Sequence, residues 1–338
     1  MAVMRDVAKL AGVSISTVSF VLNGTAKEHK VADRTAQRVI HAARQLDYKI
    51  NSSACTAIDT QHWLPTIAFY IPRNSVWIDM SAVSASIDKH MLQTGREYSI
   101  LLCPYEKGKL QKRLQQYALP AYDAAVFSVE LEEDVAALEQ QSSDKPFVVY
   151  NRASERYASV SYMPDEAIAK AVQMMVAKKY QEILVLSGAD SRKHGDEYLK
   201  LFLRCCRQQG LHLVGDDILE TENTMLGGAI AARHILNMPQ RPQMIICMSS
   251  ALAFGAIPLL ARNGILVPRD AELLCFGSSG DAEHMINYIP SLSMIACPLD
   301  DMTMKAFDMA LRLVDGKGGA LMQYVCPGEL LLHDSFSL

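Results

Sequence analysis

The chain has 338 residues and a mass of 37.4 kDa; 50% of it is apolar, 21% is charged, the net charge is −4 and the pI is about 6.1. That length exceeds one ordinary core and implies two or three domains. The composition excludes a disordered chain, and the charge excludes a polycation that coats nucleic acid along its whole length.

The N-terminal stretch Met1–Val13 carries Asp6 and no apolar run of signal-peptide length, so a cytoplasmic protein is expected. The eight cysteines are then expected as thiols; none are spaced C-x-x-C, and no zinc or redox motif is expected. The uncharged stretch Met244–Ala261 contains Ser249, Ser250, Gly255 and Pro258. It reads as a strand followed by a helix, not as a membrane span.

Residues 1–62 hold eight Lys/Arg and five acids, a balance of +3 that leaves −7 for the remainder. A basic head on an acidic body suits a DNA-binding module attached to a sensing domain, although a solvated face gives the same asymmetry. A first helix is expected over Met4–Ala11, with Val7, Ala8, Leu10 and Ala11 as its apolar stripe. Gly12 ends it in the left-handed conformation, Val13 turns inward, and Ser14 caps a second helix over Ile15–Leu22. Asn23-Gly24 closes that helix, and Thr25–Lys30 forms a polar loop. Asp33 opens a third helix that runs to Leu46, with Ala36, Val39, Ile40, Ala43 and Leu46 at helical spacing.

Two short helices joined by Ala-Gly-Val-Ser form the helix-turn-helix pattern. Val18 and Val21 face inward, which leaves Ile15, Ser16, Ser19 and Phe20 on the outer face, where a recognition helix meets base edges. Ser14, Thr17 and Asn23 are placed to bond phosphates and fix the register. The alternative is a plain three-helix bundle with a solvated polar face.

Residues 63–338 alternate short apolar strands with amphipathic helices. Strands are expected at Thr66–Ile71, Ser99–Cys103, Ala124–Ser128, Phe147–Tyr150, Ile183–Ser187, Met244–Met248, Leu273–Phe276 and Ser293–Cys297. Helices are expected at Met80–Thr94, Glu166–Lys179, Glu197–Gln209, Gly227–Leu236 and Ala251–Asn263. This α/β alternation implies parallel sheets with helices on both faces, and the length fits two of them.

The string DVAKLAGVSISTVSFVLNG, followed by Val31, Thr35, Val39, Ala42-Ala43, Leu46 and Tyr48, resembles the headpiece of the lactose-repressor (LacI/GalR) family of bacterial transcription regulators. The resemblance implies a three-helix headpiece over 1–50, a hinge over 51–62, and a core over 63–338 that resembles periplasmic sugar-binding proteins. It implies discontinuous, doubly wound lobes, one from 63–160 plus 291–320 and the other from 161–290 plus 321–338. A homodimer on pseudo-palindromic, double-stranded operator DNA follows, with a small-molecule effector, a sugar or sugar phosphate, in the cleft. A repressor whose operator affinity the effector controls allosterically is the expected function, with no membrane partner.

The chain departs from the family at several positions. The recognition helix usually ends in an arginine where Phe20 stands; Phe20 offers only apolar contact, for instance to a thymine methyl, or packs sideways on the bundle. The resemblance assigns Tyr48, Asn51, Ala54, Ala57 and Ile58 to DNA contact through the hinge. The hinge proline is replaced by Ile50 and the leucine wedge by Ala57, too small to pry a base step open, unless Ile58 takes its place.

For the effector, the resemblance points to Trp77, Asn151 beside Arg152, Arg192 with Gly195, Asn223, Ser250 and Gly277. Asp165 matches a family aspartate that helix capping alone explains. The family's pocket acids are missing: Ser249-Ser250 and Gly277-Ser278 stand in their places. That argues for a less hydroxylated or anionic ligand, or for a lost site; Arg73, Arg152 and Arg192 are the candidates to cluster around a phosphate.

Enzymatic motifs are missing: there is no G-x-G-x-x-G, P-loop, G-x-S-x-G or H-x-x-x-H pair, so no cofactor, metal or catalytic residue is expected. Cys205-Cys206 read as packing thiols. The chain ends near PGELLLHDS without leucine heptads, so a dimer rather than a tail-assembled tetramer is expected. The competing readings are a binding protein with a degenerate operator or effector site and, more remotely, a sugar-processing enzyme.

Overall fold

The computed structural model describes residues 3–22, 25–26, 29–46, 64–73, 75, 80–116, 122–141, 143, 145–189, 197–213, 215–319 and 321–337. They fall into two compact units, Met1–Pro65 and Thr66–Leu338.

The first unit holds α1 (Met4–Ala11), α2 (Ile15–Leu22) and α3 (Asp33–Gln45). Val7, Ala8, Ala11, Val18, Val21, Leu22, Val39, Ala42 and Ala43 form its closed core, with Val13, Val31 and Leu46 packed at its edge. Gly12 adopts φ +64°, the left-handed region open to glycine at little cost, and its N–H reaches back to the Ala8 and Lys9 carbonyls. The Val13 N–H also bonds Ala8, at 3.1 Å, so α1 stops abruptly and the chain turns into α2.

The second unit contains two six-stranded sheets. The first holds β1 (Thr66–Pro72), β2 (Ser99–Tyr105), β3 (Ala124–Ser128), β4 (Phe147–Tyr150), β5 (Ala158–Met163) and β11 (Gln323–Pro327), in the order β11-β5-β4-β3-β1-β2. The second holds β6 (Ile183–Gly188), β7 (Ile218–Thr221), β8 (Met244–Cys247), β9 (Glu272–Ser278), β10 (Ser293–Cys297) and β12 (Glu329–Leu331), in the order β12-β10-β9-β8-β6-β7. The first sheet is parallel throughout; in the second only β12 runs antiparallel, against β10. Inner strands such as β3, β4 and β8 are buried along their whole length, as continuous apolar runs covered on both faces must be.

The connecting helices are α4 (Met80–Thr94), α5 (Leu110–Gln116), α6 (Glu132–Glu139), α7 (Asp165–Lys178), α8 (Glu197–Gln208), α9 (Met225–Leu236), α10 (Ser250–Arg262), α11 (Ser279–Met285) and α12 (Leu299–Val314). Helix α12 packs on α4 and on β3, β4 and β5, so it belongs with the first sheet. Lobe one is therefore residues 66–163 plus 299–327, and lobe two is 165–297 plus 329–337.

This corrects the expected lobe boundaries. Strand β10 sits in lobe two, not lobe one, because it pairs with β9 over Ser293–Cys297. Strand β11 sits in lobe one, not lobe two, because it extends the sheet at β5. The chain crosses at residues 164, 298 and 328; the first and third crossovers touch, the Gly328 N–H donating to the Met163 carbonyl at 2.9 Å. One apolar cluster runs from Ile67 and Phe69 through Tyr162 to Tyr198, Phe202 and Phe276, so both lobes contribute to a shared core.

Candidate functional site

The candidate recognition face is built by the α1–α2 turn. The Ser14 hydroxyl accepts the Thr17 N–H at 3.0 Å and lies 2.8 Å from the Thr17 hydroxyl, so Ser14 is the N-cap of α2. With those two hydroxyls paired, capping is the first role of both residues. Burial of Val18, Val21 and Leu22 fixes the rotation of α2. Ile15 is 45% exposed, Ser16 is exposed, and Ser19 and Phe20 are half-buried. Arg5, Lys9, Lys30, Arg34 and Arg38 add exposed cations to the same unit, the kind of charge that attracts phosphates. Asn23, Tyr48, Asn51, Ala54, Ala57 and Ile58 lie outside the described residues.

Phe20 does not stand free on this face. Its ring stacks on that of His29, with centroids 3.7 Å apart and planes 14° from parallel. One ring face is therefore covered, by a loop residue and not by the helical bundle. His29, from the loop after α2, carries no motif signal; only the folded loop brings it there.

In the second unit, the described effector candidates stand at the carboxyl ends of strands, Asn151 after β4, Asn223 after β7, Ser250 after β8 and Gly277 near the end of β9, and several are already engaged. Asn151 follows β4 in the left-handed conformation at φ +72° and is 7% exposed. Its side-chain oxygen accepts the Tyr198 hydroxyl of α8 at 3.0 Å. Arg152 donates to the Glu130 carbonyl at 2.7 Å and pairs with the Glu197 carboxylate, also on α8. The Asn151–Tyr198 and Arg152–Glu197 contacts cross from lobe one to lobe two. Burial, a hydrogen bond to Glu197 and the Glu197 charge together raise the pKa of Glu132, the first residue of α6. Glu130 is held from its other side by Ser75 and by Lys107, at 2.5 Å.

On the lobe-two side, the Ser249 hydroxyl caps α10 by accepting the Leu252 N–H at 3.4 Å and donates to the side-chain oxygen of Asn223. Ser250 follows at the first position of α10. Gly277, one residue before the end of β9, lies against it: a Cβ there would lie 2.6 Å from Met294 Sδ and 3.5 Å from the Ser250 Cβ. The structure thus brings Asn223, Ser250 and Gly277 together. Trp77, Arg192 and Gly195 lie outside the described residues.

Arg192, one of the three arginines expected to cluster, lies outside the described residues. Arg152 is turned to Glu197, and Arg73 stands by Glu106, whose carboxyl pKa is lowered chiefly by Lys109 and in part by Lys112 and Arg73. The residues missed from sequence are Glu197 and Tyr198, which read there as the start of an ordinary amphipathic helix. Their signal was position: the first turn after β6 and its loop faces the carboxyl ends of the strands.

Cys206 is buried and its thiol is pushed up to about 12 by desolvation, consistent with packing. Among the described residues, no group of His, Cys, Asp and Glu is arranged to hold a metal ion. No described helix is long and apolar enough to cross a membrane.

A helix-turn-helix unit with an exposed recognition face, followed by two parallel-sheet lobes joined by three crossovers, defines a DNA-binding regulator with a periplasmic-binding-protein-like core. The lacI family of bacterial regulatory proteins matches residues 3–51, and the periplasmic binding protein-like domain matches residues 157–336. The chain belongs to the LacI family of transcription regulators.

It is 26% identical to the HTH-type transcriptional repressor PurR of Vibrio parahaemolyticus serotype O3:K6, over 99% of this chain and 98% of that protein. It is 27% identical to PurR of Actinobacillus pleuropneumoniae serotype 3, over 93% and 91%. A LacI family transcription regulator from Clostridium acetobutylicum superposes with a TM-score of 0.71 at 23% identity, over 79% of this chain and 99% of that one. The lac repressor dimer bound to operator and the anti-inducer ONPF superposes with a TM-score of 0.65 at 20% identity, over 99% and 98%. These structural likenesses establish the fold. The curated relatives are transcriptional repressors, in keeping with a DNA-binding regulator.

Proposed function

We propose that this protein is a homodimeric repressor that binds a pseudo-palindromic operator and responds to a small molecule held between its lobes. The observation that carries the reading is the capped turn at Ser14, which orients α2 with Ile15 and Ser16 outward over a closed apolar core. Two such helices, one per protomer, enter successive major grooves. Exposed cations supply the salt-sensitive part of the affinity. The lac repressor neighbour, a dimer bound to operator and an anti-inducer, supports the same arrangement here. Such a protein acts where the operator is, in the bacterial cytoplasm.

The effector is a sugar or a sugar-derived compound that contacts Asn223, Ser250 and Gly277, with Trp77 and Arg192 as further contacts. It acts by binding one arrangement of the lobes better than the other. A second reading is favoured by one observation: Asn151 and Arg152 are already bonded to Tyr198 and Glu197. In that reading the lobes hold each other, and the ligand is non-sugar, anionic or dispensable.

The test is selection of bound sequences from a random DNA pool at about 150 mM salt, where nonspecific phosphate binding is suppressed. A palindrome of about 14–20 base pairs supports the regulator; the lack of any enriched motif refutes it. Ligand screening of the core by thermal shift then separates the two effector readings. Stabilisation by sugars supports the first, and stabilisation by anions alone supports the second.

A further inference from the structure

We propose that the groove between α7 and β12 is a second ligand site, which takes a zwitterion with an apolar side chain, the chemistry of a hydrophobic α-amino acid. The groove has a volume of about 550 Å³, within the range of small-molecule sites. It is separate from the effector candidates described above. Strand β12 is the edge strand of its sheet, on the far side of β10 from β9 and β8. None of Asn151, Asn223, Ser250 and Gly277 lines the groove.

The two walls set the order of the chemistry. Glu166, Lys170 and Met174 stand at successive turns on one side of α7, about 6 Å apart along its axis. The facing wall starts at Gly328 and Glu329 and continues to Leu330 and Leu332. Both walls lead away from the same point, because the Gly328 N–H donates to the carbonyl of Met163, two residues before α7 begins. Two carboxylates therefore mark the end beside the crossovers, an ammonium follows, and Met174, Leu330 and Leu332 offer apolar contact beyond it. Glu166, Lys170 and Glu329 are all exposed, and among the described residues none of them stands in an ion pair. Glu166 and Lys170 have the spacing at which such side chains pair on a helix, yet both charges stay open to a ligand. A ligand ammonium on the two carboxylates, a ligand carboxylate on Lys170 and an apolar side chain on Met174 and the leucines use each group once.

The test is calorimetric titration of the full chain with L-phenylalanine and L-leucine. Phenethylamine and N-acetyl-phenylalanine serve as probes that each lack one of the two charges. Glu166→Gln, Lys170→Ala and Glu329→Gln alter exposed side chains outside the apolar clusters, so all three variants are expected to fold as the parent does, which thermal unfolding checks. The parent is expected to bind both amino acids, and each variant to bind them about fivefold more weakly. Each singly charged probe is expected to bind the parent more weakly than phenylalanine by a similar factor. Binding that all three variants leave unchanged would put the amino acid elsewhere, such as in the cleft, and overturn the site. Either probe bound as tightly as phenylalanine would show that one charge goes unread and overturn the zwitterion. No binding of either amino acid at millimolar concentration, by heat or by thermal shift, would overturn the proposal outright. Operator selection is independent of all these outcomes, so the regulator reading stands or falls separately.

Discussion

The Arg152 guanidinium of lobe one is paired with the Glu197 carboxylate at the first position of α8 in lobe two, and one residue earlier Asn151 accepts the Tyr198 hydroxyl at 3.0 Å. Two consecutive residues of one lobe thus grip two consecutive residues of the other. The Arg152 side chain is 13% exposed and the Glu197 side chain 44%, so solvent screens one end of the pair and its contribution is modest. Removing Arg152 also takes a donor from the Glu130 carbonyl. Arg152→Ala is expected to destabilise the core by about 1 kcal/mol and to open the lobes. Urea unfolding and small-angle scattering would show both effects. A variant as stable and as compact as the parent would mean that the clasp holds nothing.

The same clasp implies a pH dependence. Burial, then a hydrogen bond to Glu197 and its charge, raise the pKa of Glu132, while Arg152 opposes them and Glu139 adds to them. A carboxyl whose pKa is raised on folding stabilises the fold while it is protonated, and that contribution is lost as pH rises through the folded value. The parent and Glu132→Gln, which mimics the neutral form, should therefore have similar melting temperatures in acid. At neutral pH the variant should melt higher. Glu132 is exposed, so the difference is expected to be small. Equal differences at both ends of the range would rule out the assignment.

Gly12 is the joint of the recognition unit. At φ +64° any residue with a Cβ is strained, although nothing lies within 4 Å of the place that Cβ would occupy. Gly12→Val should therefore cost about 1–2 kcal/mol through backbone strain alone, without a steric clash. The headpiece is expected to melt earlier and operator affinity to fall, with base preference kept because α2 itself is untouched. A changed motif in selection would show instead that the turn sets the pose of the helix.

These elements differ in how far sequence exposes them. The headpiece is legible residue by residue, because Gly12, Ser14 and the apolar spacing of Val18 and Val21 act within a few positions of each other. Inner strands such as Met244–Cys247 are legible as unbroken apolar runs. Mixed or very short strands are not: β5, Ala-Ser-Val-Ser-Tyr-Met, alternates polar and apolar residues between β11 and β4, and the edge strand β12 has three residues. Lobe membership of β10 and β11 depends on which edge each strand joins, information that no local pattern carries. The site follows the same rule. Asn151 is legible as a residue after a strand, whereas its bond to Tyr198 spans 47 positions. The Phe20–His29 stack requires the loop to fold back, a result of the Thr25 bonds to the Phe20 carbonyl.

The recognition face offers the sharpest contrast between reading and holding. Phe20→Arg replaces a ring that accepts no hydrogen bond and donates none with a fork of donors suited to guanine O6 and N7. It also removes one partner of the stack with His29. Selection on this variant should return a palindrome changed at the position next to α2, with guanine enriched there. Lys9→Ala and Arg5→Ala alter exposed cations of α1, outside the recognition helix. They should weaken binding to all sequences alike and lower the slope of log affinity against log salt by about 1 each. The two outcomes separate cleanly in one titration series, since a phosphate contact changes the salt slope and leaves the motif alone. If Phe20→Arg left the selected motif unchanged while shifting only the slope, residue 20 would be facing the backbone of the DNA, and the base-reading face would have to be rotated toward Ile15 and Ser16.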